Sequence, residues 1–326
     1  MVLFTLQKRG TRMPPESLRK LKENIAQVIL GTEEALDLLL VALIAEGHLL
    51  VEDVPGVGKT MLAKALAVSL NIDFNRLQCT PDLTPTDVTG FYVLDRQSNR
   101  FSFRAGPVVT NILLVDEINR AVPRTQASLL EAMEERQVTI DGQTTKLGQP
   151  FFVIATQNPL EHDGTFPLPE AQLDRFLLKI SLGYPSAALE KKILSTHGRE
   201  NPLLQIPAVA GEDDVKEWQE QARNIFVADS LQQYLIELVR ATRTHATVAF
   251  GASPRASLAL YRAARALALL RGRQYVIPDD IQFLAGYVLN HRLSLKREER
   301  LRGLQPNQVL EDVLMTVPVP VVSDGV

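Results

Sequence analysis

Eight residues, Asp53-Val54-Pro55-Gly56-Val57-Gly58-Lys59-Thr60, separate the apolar run His48-Leu49-Leu50-Val51 from a helical pattern that begins at Met61. An apolar run, a glycine turn and then a helix make a phosphate cradle. Gly56 and Gly58 let the backbone bend so that successive N–H groups point inward, and the following helix brings the positive end of its dipole to the same spot. The expected ligand is a polyphosphate. Lys59 would reach its outer phosphates and the Thr60 hydroxyl would ligate magnesium, as the Gly-Lys-Thr ending of such a loop requires. Pro55, Val57 and Met61 belong to the same stretch and are expected to border the nucleotide. The strict motif has glycine at position 53, where this chain has Asp53. The amides that phosphate needs come from residue 56 onward, so the departure is expected to bend the entry of the loop rather than abolish the cradle.

A chain of 326 residues, 45% hydrophobic and 22% charged, can bury a sizeable core and has room for about two domains. Its net charge of −3 argues against a dedicated nucleic-acid or membrane-surface protein. The single cysteine, Cys79, rules out an internal disulfide framework, shows no ligand spacing with the five histidines, and reads as a small buried apolar residue in a reducing cytoplasm. Between Met1 and Met13 the apolar residues stand only at positions 2–4 and 6, too short a run for a signal-peptide core. The longest apolar stretch, residues 38–45, is far below the roughly 18 residues of a membrane span.

Pro14-Pro15 opens a helix with Leu18, Leu21, Ile25 and Val28 at spacings of 3 and 4, closed by Gly31. Thr32, ahead of Glu33 and Glu34, caps a second helix that runs to about Glu46. After the loop come a helix from Met61 to about Leu70 and a strand from Phe74 to Cys79. Two alternating segments, Phe91 to Asp95 and Phe101 to Arg104, flank Gln97-Ser98-Asn99 and predict a hairpin, and Asp141-Gly142 within Val138 to Leu147 predicts another. Ile112-Leu113-Leu114-Val115 is apolar at every position, as in a parallel strand covered on both faces; a helix from about Pro123 to Arg136 and similar strands at 151–155 and 177–182 follow. The alternation predicts an α/β fold, a doubly wound three-layer domain with a parallel sheet, ending near Gly183-Tyr184-Pro185. Beyond a loose segment at 201–212, helical periods at 214–223, 229–245, 254–271 and 278–291 predict an all-α domain. The expected domains are 1–183 and 184–326, with the tail from Thr316 either extended or frayed.

Asp116 and Glu117 close the apolar run that starts at Ile112. Two carboxylates at the carboxyl end of a central strand need a charge partner, and magnesium with an attacking water supplies one. Asp116 would hold the metal through water, and Glu117 would polarise the nucleophilic water. The alternative for either acid alone is a helix N-cap, which a phosphate loop upstream in the same chain disfavours.

Four stretches carry a more specific pattern: Glu52 to Thr60, Asp116-Glu117-Ile118-Asn119-Arg120-Ala121, Ala155-Thr156-Gln157-Asn158-Pro159, and Leu168-Pro169-Glu170-Ala171-Gln172-Leu173-Asp174-Arg175-Phe176. With them the chain resembles, over nearly its whole length, the MoxR family of AAA+ ATPases, in which acidic or variable residues occur at position 53. The resemblance implies a three-layer P-loop (AAA+) domain followed by a helical lid domain, with ATP and Mg2+ as cofactors. It makes Asn158 sensor 1, an amide that holds the attacking water or the γ-phosphate; the alternative is an Asx-turn before Pro159. Arg175 resembles the arginine finger that reaches a neighbouring subunit's ATP, a task suited to a permanent and spread charge. A surface ion pair with Asp174 or Glu170 is the plainer alternative.

Arg255, at the helix start in Gly251-Ala252-Ser253-Pro254-Arg255, resembles sensor 2 and would serve its own nucleotide or a neighbour's. Arg262 and Arg265 share its helix face, where solvation is the ordinary explanation. Val28, Ile29 and Gly31 resemble the segment that covers adenine, or are simply a helix end. The two hairpins match the family's insertions, which line the ring pore in AAA+ relatives; plain surface hairpins would look the same. The implied function is ATP binding and hydrolysis in a homo-oligomeric ring, expected to be a hexamer, that remodels or matures a protein client. The family is associated with partners bearing von Willebrand factor A domains and with metal-centre insertion. Rival readings are a nucleic-acid motor on the same fold, a nucleotide-gated scaffold with little turnover, and a small-molecule kinase, which would not explain the lid or Arg175. Neither nucleic-acid binding nor membrane insertion is expected.

Overall fold

Leu18, Leu21 and Ile25 recur at helical spacing along α1 (Glu16–Ala26) and are fully buried, as the periodicity predicts. The computed structural model describes residues 13–31, 33–54, 56–96, 99–159, 164–184, 186–197 and 201–320. The expected cap Thr32, the loop residue Pro55, the hairpin residues Gln97 and Ser98, the boundary residue Pro185 and the tail 321–326 lie outside them. α2 (Glu33–Ile44) is buried on almost every side from Ala35 onward, and its two leading glutamates meet the positive end of its dipole.

From there the chain alternates. β1 (Leu49–Glu52), the glycine loop, α3 (Lys59–Leu70) and β2 (Phe74–Gln78) are followed by the short α4 (Pro85–Thr89) and the hairpin β3 (Gly90–Asp95) and β4 (Arg100–Ala105). Next come β5 (Ile112–Asp116), α5 (Pro123–Glu135), the hairpin β6 (Gln137–Ile140) and β7 (Gln143–Lys146), β8 (Phe152–Gln157), the short α6 (Glu170–Leu173), β9 (Leu178–Ile180) and α7 (Ala187–His197). Asp141 (φ 50°) and Gly142 (φ 78°) are both left-handed, the backbone that a two-residue hairpin turn between β6 and β7 requires.

Five strands form one parallel sheet in the order β2-β5-β8-β1-β9. Every residue of β5 and all but the last of β8 are buried, so these apolar stretches are the interior of the sheet. At one edge, β2 alternates instead: Leu77 is buried while Arg76 and Gln78 on either side of it are exposed. β1 and β2 are consecutive in the chain but separated by β5 and β8 in the sheet. The carboxyl ends of β1, β8, β5 and β2 therefore line up, with Val51 beside Thr156, Val115 beside Ala155 and Asp116 beside Gln78. Such an edge is where an open α/β sheet binds its ligands.

The described residues fall into two compact units, one spanning Lys20–Lys216 and the other drawn from the described parts of Met1–Arg19 and Glu217–Val326. The chain passes through α8 (Glu212–Arg223), α9 (Asp229–Thr244), β10 (Val248–Phe250), α10 (Pro254–Leu270), α11 (Pro278–Leu289), β11 (Ser294–Leu295), α12 (Arg297–Leu301) and α13 (Pro306–Thr316). The expected helices are present, and the structure adds α12, α13 and the antiparallel pair β10 and β11. Those additions carry little periodic signal: α12 has no buried residue, α13 buries only Val309, Leu310 and Val313, and the two strands are too short to alternate. Asp280 is completely buried in this unit and is held by Arg271 at 3.1 Å and Arg273 at 2.5 Å.

His48 is a buried polar residue in the core of the sheet unit, with both ring nitrogens engaged. Its Nδ1 accepts from the Val153 amide at 3.1 Å, which leaves the proton on Nε2, donated to the Met133 carbonyl at 3.1 Å. The ring thus joins the start of β1 to β8 and α5. His48→Leu keeps the volume but strands an amide and a carbonyl, and should cost about 2–4 kcal/mol. Denaturant unfolding of the two proteins measures this; a loss near zero would show that neither bond matters.

Candidate functional site

Gly56 (φ 88°) and Gly58 (φ 93°) hold the loop after β1 in left-handed backbone, and no heavy atom lies within 4 Å of where a Cβ would project. Glycine is needed there for the backbone and not for crowding, and the space over the loop is open. Gly58 precedes the first turn of α3, and the Leu62 amide bonds its carbonyl at 3.0 Å. The amides of Lys59, Thr60 and Met61 come earlier than that bond and have no carbonyl of their own helix to meet. Lys59 Nζ donates to the Asp53 carbonyl at 2.9 Å. Burial lowers the pKa of Lys59 below the usual lysine range, while Asp53, Asp116 and Glu117 pull it back up. A half-buried ammonium among acids, beside helix amides with no acceptor in their own helix, suits a polyphosphate.

Asp53 does more than bend the entry. Its carboxylate is buried, and Oδ2 accepts from the Leu182 amide at 2.7 Å, the Gly183 amide at 2.8 Å and Ser181 Oγ at 3.2 Å, while Oδ1 accepts from the Val54 amide at 2.9 Å. One side chain thus fastens the start of the phosphate loop to the segment that leaves β9. Glycine at this position could make none of these bonds.

The two acids that end β5 are each surrounded by donors. Asp116 Oδ2 accepts from Arg76 Nε at 2.6 Å, and Oδ1 from Thr156 Oγ1 at 3.4 Å. Glu117 sits at φ 57°, and its amide donates to the same Thr156 hydroxyl at 2.9 Å. That left-handed turn carries its carboxylate away from the strand direction, where Oε2 accepts from Gln78 Nε2 and from Arg120 Nη1, both at 3.1 Å. Cys79, just after β2, is buried, and burial with the two neighbouring acids pushes its thiol up to about 12, so it is an inert side chain and not a nucleophile.

Gly56, Gly58, Lys59, Thr60, Met61, Asp116, Glu117 and Asn158 line one cleft of about 330 Å3, together with Arg76, Gln78 and Thr156. No sequence motif assigns a role to these last three or to Arg120. The one available signal is the alternation of Arg76 and Gln78 along β2, which by itself reads as a solvated edge. Other expected residues lie elsewhere. Val28 is buried, Gly31 packs under the Leu189 side chain, and neither they nor Ile29 and Val57 line the cleft. Arg175 Nη1 donates to the Leu130 carbonyl at 3.1 Å and pairs with the Glu134 carboxylate, so the acid it meets is on α5. In the helical unit, Arg255 is an exposed residue of the first turn of α10, and Arg265 lies 5.2 Å over the Tyr261 ring.

No group of three or more His, Cys, Asp and Glu among the described residues could hold a metal by itself. A hydroxyl at Thr60 and a carboxylate at Asp116 are a partial oxygen set, which fits magnesium because that ion completes its shell with phosphate oxygens and water.

A sequence profile of the ATPase family associated with various cellular activities (AAA) matches residues 48–178, and one of the AAA lid domain matches residues 240–313. The chain is 48% identical over 309 residues to the uncharacterized protein YeaC of Bacillus subtilis, covering 95% of this chain and 97% of that protein. It is 44% identical over 308 residues to the chaperone MoxR1 of Mycobacterium tuberculosis, covering 92% of this chain and 81% of that one. The crystal structure of a Cytophaga hutchinsonii protein, proposed to be an ATPase, matches with a TM-score of 0.88 at 37% identity, over 94% of this chain and 95% of that chain. Similarity of this depth runs through the parallel sheet and the lid alike, and the protein belongs to the MoxR family of AAA+ ATPases.

Proposed function

We propose that this protein binds ATP with Mg2+ in the cleft at the carboxyl edge of the sheet, hydrolyses it, and uses the turnover in an oligomeric ring to remodel or mature a partner protein. The observation that carries the reading is the meeting of Lys59 and the first amides of α3 with Asp116, Glu117 and Asn158 around one cleft. Lys59 and the amides hold the phosphates. Thr60 and Asp116 hold the magnesium ion, which when bound offsets charge on the phosphate oxygens. Glu117 takes the proton of the attacking water, and the Asn158 amide orients that water or the γ-phosphate. Arg255 would serve as sensor 2 for its own nucleotide or a neighbour's, and Val28, Ile29, Gly31 and Val57, which stand outside the cleft lining, would border the adenine.

The ring, expected to be a hexamer, completes each site with Arg175 of a neighbouring subunit. To reach a neighbour, Arg175 must give up Glu134 and the Leu130 carbonyl, so assembly and release of this arginine go together. The functional domains are 1–183 and 184–326, working in the cytoplasm. No helix among the described residues is long and apolar enough to cross a membrane. A protein client, of the kind that bears a von Willebrand factor A domain, would meet the inserted hairpins. On the β3–β4 hairpin the paired Leu94 and Phe101 are both exposed, Phe101 to 71%, an apolar surface that supports contact with a protein client.

Lys59→Ala should lose ATP affinity, because the principal phosphate cation has gone; calorimetric binding at wild-type strength would sink the assignment. Glu117→Gln should bind ATP as the wild type does and lose turnover by roughly 10² to 10⁴, the effect of a missing general base. A steady-state assay within a few fold of wild type would move the base elsewhere, and negligible turnover by the wild-type protein would favour a nucleotide-gated scaffold.

Arg175→Ala should likewise bind nucleotide and hydrolyse it poorly, since its charge matters only as the transition state forms. Co-expressed with Glu117→Gln it should recover activity, because some interfaces then combine an intact glutamate with an intact arginine. Random equal mixing restores roughly a quarter of wild-type turnover if interfaces act independently in a cyclic ring. Mixed rings no more active than either parent would reject the shared site.

A further inference from the structure

Asp116 is the carboxylate that the proposed function places beside the metal, and both of its oxygens are engaged in the nucleotide-free chain. Oδ1 is turned toward the Thr156 hydroxyl, 3.4 Å away, and Oδ2 is 2.6 Å from Arg76 Nε. The two partners of that ion pair differ in freedom. The Asp116 side chain is 10% exposed and fixed at the end of β5, whereas the Arg76 side chain is 50% exposed on the edge strand β2. Any displacement of one from the other must therefore move the arginine.

We propose that Arg76 is a positioning residue that occupies the Asp116 carboxylate in the nucleotide-free protein and is exchanged for the divalent cation when metal and nucleotide enter together. Arg76 then sets the metal concentration at which the site loads. The proposal rests on the reading of Asp116 as the acid on the metal side of the cleft. Three observations lead to it. A hydrated cation needs the carboxylate oxygen that the Arg76 Nε–H now fills, and a charge-assisted bond as short as 2.6 Å is a strong competitor. Lys59 lines the same cleft, so a divalent ion added while Arg76 stays in place would be a third cation beside the two acids Asp116 and Glu117. Gln78 Oε1, 3.4 Å from Arg76 Nη2, is a standing acceptor on the same strand that can keep the guanidinium at the cleft wall once it has left Asp116.

The test uses the full chain, Mn2+ as the metal and a fluorescent ADP analogue as the nucleotide. The dissociation constant of the analogue is measured in EDTA and again with saturating Mn2+, and the first divided by the second reports how strongly metal and nucleotide support each other. Arg76→Gln and Arg76→Met should each raise the ratio about ten-fold, by tightening only the binding with metal. Arg76→Lys, which keeps a cation at the site, should stay closer to wild type. Two neutral variants are used because a glutamine could rebuild a bond to Asp116 and because one of them could fail to fold. A merely structural arginine would change the melting temperature and leave the ratio where it is. An unchanged or lowered ratio in the neutral variants overturns the proposal. Asp116→Asn separates the two levels: it should bring the ratio down toward one, and if it does while the Arg76 variants do not raise it, only the exchange is wrong. If Asp116→Asn keeps the wild-type ratio, the metal-side reading of Asp116 has failed, and the exchange with it.

Discussion

Asp116 ends a strand whose every residue is buried, with the partly exposed Glu117 directly after it, and a carboxylate taken out of water needs cations and donors around it. The surroundings come from three directions. Arg76 and Gln78 arrive from β2, Thr156 from β8, and Arg120 from the turn just after the acids themselves. Parallel strand order is what makes this possible, because it brings the carboxyl ends of β2, β5, β8 and β1 to one edge and the glycine loop to the same place. Neutralisation in the absence of ligand then has a chemical consequence. In the proposed exchange Asp116 gives up Arg76 for the metal, so that the site would load with metal and nucleotide as a pair rather than with either alone.

The same edge is connected mechanically to the chain that leaves β9. Asp53 accepts from three donors in residues 181–183, so the entry of the phosphate loop and the exit from β9 move as one piece. In a loop whose first position is glycine the two would be joined by the ladder between β1 and β9 and by the ion pair of Glu52 with Lys179. Lys59 Nζ donates to the carbonyl of that same Asp53 and is tied into the arrangement. A change at the phosphates therefore has a short covalent and hydrogen-bonded route to the segment by which the chain leaves the sheet.

Arg175 and the hairpins illustrate the difference between a residue's chemistry and its address. A guanidinium is suited to a neighbour's phosphates, yet in the single chain it is spent on the end of α5, on Glu134 and the Leu130 carbonyl. The β3–β4 hairpin stands at the other extreme, with Phe101 largely uncovered although its Tyr92 and Phe103 rings meet at 5.4 Å.

What the sequence by itself determined is everything governed by near neighbours along the chain. Apolar runs at Leu49, Ile112 and Phe152 became interior strands, helical spacing placed α1 and α9 to α11, Asp141-Gly142 made its hairpin turn, and the glycines at 56 and 58 shaped the loop. These come from backbone sterics and from burying one face or two, which a short window of residues already specifies. The tertiary structure alone decided which distant side chains meet. Arg76 on Asp116, Asp53 on Leu182 and Gly183, and Arg175 on Glu134 depend on β2 lying next to β5, on β9 lying next to β1, and on how α5 sits beside the segment after α6. Strand order is settled by how the whole set of helices covers the two faces of the sheet, a sum over long-range contacts that no local pattern encodes. For that reason Arg76 and Gln78 look like solvated residues of an edge strand until their neighbours are in place.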